Sequence, residues 1–226
     1  MEQLANDLQL DLTSHSLPQT IAIEGSIGVG KTTLARRLAK TFNYNLLLEK
    51  AQENPFLEKF YQTGGKHALP SQLFFLFHHL QQLQSSRQTD MFNPSRVADF
   101  MVEKDPIFAR ATLDDDEYRL YHKVFEQLTI DTPAPDLVIY LQAPTDVLLQ
   151  RIQRRGNPYE RNISPDYLDH INRAFTDFFH YYSDSPLLIV NSAEINLADS
   201  VNDYRELVEF MLGVKSGRHY YNPRGL

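Results

Sequence analysis

Short apolar runs alternate along the chain with stretches whose apolar residues recur at helical spacing. Thr20-Ile-Ala-Ile-Glu24 is a β-rich run, followed by a glycine-rich turn and a helical stretch from Lys31 to Thr41. Leu46-Leu-Leu-Glu49 is a second brief strand candidate. From Leu69 to Ser85, the positions Leu73, Leu76, Phe77, Leu80 and Leu83 line one side of a helix. A third strand includes Val97-Ala98, and Leu137-Val-Ile-Tyr-Leu141 has the continuous apolar character of a strand buried on both faces. A helix with Thr145 as its cap then runs to Arg155, Pro186-Leu-Leu-Ile-Val190 is a fifth strand, and a final helix spans Ser200 to Leu212. Strands alternating with helices predict an α/β fold, with a five-stranded parallel sheet flanked by helices. Residues 1–17 are expected to be a flexible lead in which Leu4, Leu8 and Leu12 could share a helical face. A single domain is expected over 18–212, with a tail of unassigned role at 213–226.

Composition narrows the classes. A chain of 226 residues, 42% of them hydrophobic, fits one compact domain with a sizeable core. A net charge of −7 argues against a general nucleic-acid binder, though not against a local basic pocket for a phosphate ligand. With no cysteine, disulfides and thiolate metal sites are excluded. No apolar run approaches the roughly 20 residues that span a bilayer, so no membrane partner is expected. Met1 to Ser16 is polar and acidic, unlike a signal peptide, and the expected location is the cytoplasm.

The chemistry begins at Gly25-Ser26-Ile27-Gly28-Val29-Gly30-Lys31-Thr32-Thr33, which matches G-x-x-x-x-G-K-[ST] between a strand and a helix. Glycines let several N–H groups turn toward one anion, and the following helix adds its positive end. Lys31 can reach the β- and γ-phosphates, and the Thr32 hydroxyl can ligate Mg²⁺. The loop establishes a nucleoside triphosphate, with ATP and Mg²⁺ expected, but not the acceptor. A guanine-specific switch would carry Asn-Lys-x-Asp, which is absent. A motor ATPase would end an apolar strand on an acidic residue, whereas Leu141 runs into Gln142-Ala-Pro. Small-molecule kinases carry instead an arginine-rich lid, because a transferring phosphoryl group spreads negative charge over its oxygens. Arg151 and Arg155, four apart on one helical face, fit that lid, while Arg154 points partly away as a solvated charge. Three readings stay open on these residues: a nucleoside kinase, a kinase of nucleoside monophosphates or other small hydroxyl compounds, and a non-catalytic nucleotide-binding regulator.

Several motifs in order carry a resemblance over residues 18–212. They are Ile21 to Thr33, Glu49 with Glu53-Asn-Pro-Phe56, Tyr61, Ala68-Leu-Pro-Ser-Gln72, Ala98-Asp99, Asp105-Pro-Ile-Phe108, Ile139-Tyr-Leu-Gln-Ala143 and Arg151-x-x-x-Arg155-Gly-x-x-x-Glu160. In these the chain resembles the deoxynucleoside kinase family, especially its bacterial deoxyadenosine and deoxyguanosine kinase branch. The resemblance implies transfer of the ATP γ-phosphate to a deoxynucleoside 5′-hydroxyl, with a purine favoured, and a homodimer built through helices. It places Glu49 and Asp99 beside that hydroxyl, where a carboxylate can accept its proton or hold Mg²⁺ with Thr32. It implies that Gln72 reads the base, that Tyr61 and Glu160 hold the sugar 3′-hydroxyl, and that Arg151 and Arg155 meet the phosphates.

Three positions depart from the family pattern. Phe100-Met101 stands where the family has Arg-Ser after its acidic residue, with Arg96 and Arg110 considered as substitutes. Asn157 replaces a third lid arginine. His79 stands where some relatives place an arginine that contacts a pyrimidine-reading carboxylate, for which Asp105 is the candidate. Other groups read as structural: Asp114-Asp-Asp-Glu117 as a solvated helix start, His78 and His79 as a poor metal pair, and Phe74-Phe75 with Phe178-Phe179 as core or subunit interface.

Overall fold

In the computed structural model, described at Leu12 and over residues 16–89, 95–128 and 133–223, a parallel sheet is sandwiched between helices. In chain order the elements begin β1 (Thr20–Gly25), α1 (Lys31–Phe42), β2 (Asn45–Leu47), α2 (Leu57–Gln62) and α3 (Ala68–Thr89). Next come β3 (Arg96–Ala98), α4 (Asp105–Thr112), α5 (Asp115–Leu128), β4 (Leu137–Gln142) and α6 (Thr145–Arg155). The chain continues through α7 (Pro165–Tyr181), β5 (Leu187–Asn191), α8 (Val201–Leu212) and β6 (Arg218–Tyr221). A short 3₁₀ turn, Val102–Lys104, leads directly into α4.

The strand order is β2-β3-β1-β4-β5-β6, and every pairing is parallel. The expected count of five strands is therefore one short. The sixth, Arg218–Tyr221, comes from the tail and lengthens the sheet beside β5. Its alternating exposed and half-buried residues show why hydrophobicity alone did not mark it. Central β1 and β4 are buried almost throughout, so both read as apolar runs in sequence.

Alternation of side chains along each strand separates two cores. Ile21, Ile23, Val97, Ile139, Leu141, Leu188 and Val190 face α1, α6 and α8 through Leu34, Leu38, Leu148, Leu207 and Met211. Val138, Tyr140, Leu187 and Ile189 face α7, whose Ile171, Phe175 and Phe179 follow helical spacing. Tyr140 and Phe179 stack with ring centroids 4.2 Å apart. A third cluster joins α2 to α5 through Leu57, Phe60, Leu76, Leu80, Val102 and Tyr121.

Helix α3 buries Leu76 and Leu80 as its spacing predicts, but Phe77 is 53% exposed and does not join that stripe. Helix starts are capped where short polar residues precede them. Ser164 and Ser200 accept from Tyr167 and Asp203 amides, and Asp114 accepts from the Asp116 and Glu117 amides. Thr145 is the first residue of α6, not its cap, and its hydroxyl donates to Asp169 instead. Leu12 packs against the first core, while Leu4 and Leu8 lie outside the described residues.

Candidate active site

Because all the strands run the same way, the loops after them gather at one edge of the sheet. The break in sequence order on either side of β1 opens a crevice there. Gly25 closes β1 at φ 145°, and a Cβ there would stand 2.4 Å from the Leu141 carbonyl oxygen. Gly28 sits at φ 85° with α6 so close that a Cβ would come within 2.8 Å of Ile152. The loop can thus lie close against β4 and α6, with backbone torsions that let amides turn toward an anion. Lys31 Nζ donates to the Gly25 and Ser26 carbonyls at 2.7 and 3.3 Å, and burial followed by nearby Lys104 lowers its pKa.

Two cavities meet at this loop. One, of about 330 Å³, lies between the loop, the arginines of α6 and residues 195–198 after β5. The other, of about 530 Å³, extends over Glu49, Tyr61, Gln72, Asp99, Asp105 and Glu160. Gly28, Lys31, Thr32, Thr33 and Arg155 line both.

Asp99, at the end of β3, bridges the two sides. Its Oδ2 accepts from the Thr32 hydroxyl at 2.5 Å and its Oδ1 from the Glu49 amide at 2.6 Å. Burial raises its pKa. Glu49 lies two residues past the end of β2 rather than on it. Its Oε2 accepts from Lys104 Nζ at 2.7 Å, and His79 Nε2 stands 3.6 Å away. Burial works to raise the Glu49 carboxyl. Lys104, then His79, then Lys31 outweigh it, so the group is held well below its usual value.

His79 is 1% exposed. Its Nδ1 lies 2.9 Å from Asp105 Oδ2, and its ring stacks on Phe100 at 4.3 Å. Burial lowers its pKa, but the Asp105 charge and hydrogen bond and then Glu49 carry it up to about 9. The expected contact between position 79 and Asp105 therefore forms with a histidine ring in place of an arginine.

Arg151 reaches back to the loop, donating to Val29 O at 3.0 Å and Ser192 O at 2.6 Å. Arg155 forms a two-point ion pair with Glu160, at 3.0 and 2.6 Å. Arg155, which lines both cavities, and Glu160, which lines the larger one, are thus partners where the two meet. Tyr61 lies on the same cavity wall as Glu160, but the side chain hydrogen-bonded to it is Tyr167. Arg154, expected in solvent, is exposed but lines the smaller cavity. Phe75 stacks on His79 and lines the larger cavity, so this aromatic belongs to the site.

Some site residues carried no signal in isolation. Lys104 is 2% exposed and its Nζ lies 3.8 Å from Glu24 Oε1. Glu24 is fully buried and accepts from the Met101 amide at 2.6 Å, and burial, against Lys104 and Lys31, raises its pKa to about 7. Glu24 stands just before the glycine of a recognisable loop, which was a usable hint. A lysine four residues beyond a missing arginine was not. Arg96 and Arg110 do not line the larger cavity: Arg96 opens β3 at the far end from Asp99, and Arg110 pairs with Asp115 at the surface.

Residues 21–212 match the family model described as deoxynucleoside kinase. The chain is 38% identical over 154 residues to a deoxyguanosine kinase of Bacillus subtilis, covering 67% of this chain and 73% of the relative. It is 32% identical over 201 residues to a deoxyadenosine kinase of Dictyostelium discoideum, covering 84% and 81%. Among solved structures, deoxyadenosine kinase from M. mycoides with bound dATP superposes with a TM-score of 0.74 at 27% identity, covering 85% of this chain and 98% of that one.

Proposed function

The chain belongs to the deoxynucleoside kinase family, and we propose that its larger cavity holds a purine deoxynucleoside whose 5′-hydroxyl lies beside Glu49. The reaction is ATP-dependent phosphorylation of a deoxynucleoside 5′-hydroxyl to the 5′-monophosphate. The observation that carries the site assignment is the junction of two cavities at Lys31, Thr32 and Arg155, with a half-buried carboxylate on the acceptor side.

In this reading the loop amides and Lys31 hold the triphosphate in the smaller cleft. Glu49, kept ionised by its neighbours, accepts the hydroxyl proton as the oxygen bonds to the γ-phosphorus. The bond from that phosphorus to the β,γ-bridging oxygen breaks, and ADP leaves. Arg155 faces both cavities and offsets the charge that spreads over the moving phosphoryl group, with Arg151 bracing the loop. Gln72, buried on the cavity wall, presents a donor and an acceptor to the base, and Tyr61 and Glu160 flank the sugar.

Thr32 Oγ1 and Asp99 Oδ2 face one another, an all-oxygen pair suited to a hard cation. Among the described residues no cluster of three His, Asp or Glu could hold a metal, so Thr32 and Asp99 would share Mg²⁺ with phosphate oxygens and water. The ion supplies neutralising charge on the triphosphate. This separates the two carboxylates, with Asp99 on the metal side and Glu49 on the hydroxyl.

A purine substrate is supported by the deoxyguanosine and deoxyadenosine kinase relatives. A homodimer built through helices is consistent with the apolar surface that Leu73, Phe74 and the 53% exposed Phe77 share on α3. Among the described residues no helix is long and apolar enough to cross a membrane, and the absence of cysteine fits a cytoplasmic site of action.

ADP production from ATP and Mg²⁺, with the four deoxynucleosides, their ribonucleosides and their monophosphates as acceptors, tests this reading. Turnover on purine deoxynucleosides is expected, and turnover on monophosphates alone would reject it. Glu49→Gln should lower kcat by roughly 100-fold or more with little change in nucleoside binding. Near-normal turnover in that variant would remove Glu49 from its role.

A further inference from the structure

The residue after Asp99 is a phenylalanine, and its ring is 2% exposed beneath His79. No cation reaches the acceptor site from that position. The chain then makes the 3₁₀ turn Val102–Lys104 and sends the Lys104 stem back into the cavity. The turn is anchored by the Met101 amide on Glu24, and Lys104 Nζ passes 5.4 Å from the Phe108 ring centroid. From there it contacts Glu49 at 2.7 Å and lies 3.8 Å from Glu24. Glu24 is joined directly to Gly25, the first residue of the phosphate loop.

We propose that Lys104 is a positioning residue that ties the acceptor carboxylate Glu49 to the base of the phosphate loop through Glu24. This rests on Glu49 serving the hydroxyl as described above. Among the described residues, two other polar groups approach Glu49 closely: an Asp99 oxygen accepts from its backbone amide, and His79 Nε2 lies 3.6 Å from its Oε2. The first holds the backbone and leaves the carboxylate free to rotate. The second is too long for a strong hydrogen bond. Lys104 is therefore the contact that sets where the carboxylate oxygens point. Its second carboxylate ties that direction to the strand end that carries the loop, so acceptor and donor sites keep a fixed separation. A displacement of about an ångström at such a group costs roughly 100-fold in rate.

The test uses the full-length chain with ATP, Mg²⁺ and the purine deoxynucleoside it turns over fastest. Lys104→Met should lower kcat roughly 100-fold while both KM values move by less than about threefold. Lys104→Arg should keep the charge and recover most of the loss. Lys104→Ala should regain turnover saturably with added propylammonium, which refills the cation's place. A merely structural lysine would not produce that response.

Binding of a non-hydrolysable ATP analogue reports whether each variant is folded. If Lys104→Met does not fold, Glu24→Gln/Lys104→Met, which removes one buried charge along with its partner, carries the same measurement. Lys104→Met with normal kcat would overturn the inference. So would a Lys104→Ala enzyme that binds the analogue, is slow, and ignores the amine. If Glu49→Gln is itself fully active, the role of Glu49 fails and Lys104's falls with it. A slow Glu49→Gln beside a normal Lys104→Met defeats the Lys104 inference alone.

Discussion

The His79–Asp105 pair should impose a specific dependence of stability on pH. His79 is 1% exposed, its Nδ1 lies 2.9 and 3.1 Å from the two Asp105 oxygens, and Glu49 approaches the other nitrogen. Burial opposes the charged ring, yet the two carboxylates prevail and the pKa rises from 6.5 to about 9. At about 1.4 kcal/mol for each tenfold change in proton affinity, this corresponds to about 3 kcal/mol. The folded pKa is the higher one, so the native chain holds an extra proton between the two values. That stability is fully present below about pH 6.5 and is lost as pH rises through about 9. Urea unfolding from about pH 6 to about pH 9.5 measures it directly. The reference is His79→Gln/Asp105→Asn, which keeps polar side chains at both positions but removes the imidazole and the charge that faces it. Glu24, raised to about 7, titrates in both proteins and cancels in the comparison. Wild type should lose about 3 kcal/mol more than the double variant across this range. Profiles that run parallel to within about 0.5 kcal/mol would refute the assignment of a buried imidazolium.

Two other perturbations separate the loop from its supports. Gly25→Ala must place a methyl 2.4 Å from the Leu141 carbonyl at φ 145°, so the loop should shift. A loss of roughly 1–3 kcal/mol is expected in thermal unfolding, along with most of the stabilisation that added ATP gives wild type. Arg151→Gln removes the contacts to Val29 and Ser192 carbonyls and should lower stability by about 2 kcal/mol and raise the ATP KM. Exposed Arg154, changed to Gln, should alter stability by less than about 0.5 kcal/mol.

The parallel α/β sheet and the phosphate loop were legible in the chain itself because both rest on local rules. Buried parallel strands must be apolar throughout, as Leu137 to Leu141 is, and a loop that cradles phosphate needs glycines at fixed offsets before a helix. Glu49 and Asp99 could be named from motif order, but their separate surroundings could not. Strand β6 escaped notice because an edge strand with alternating exposure is held by pairing with Leu187–Asn191, a partner about 30 residues away.

The tertiary structure alone decided how the charges share the site. Lys104, Glu24, Glu49, His79 and Asp105 come from four places spread over about 80 residues, and each by itself reads as an ordinary charged or polar residue. Hydrophobic pattern is a property of neighbours along the chain, whereas the state of a buried ion depends on which opposite charges the fold brings within a few ångströms. That is why Arg155 turned out to be joined to Glu160, and why the cation beside Glu49 came from the turn after Phe100 rather than from position 100.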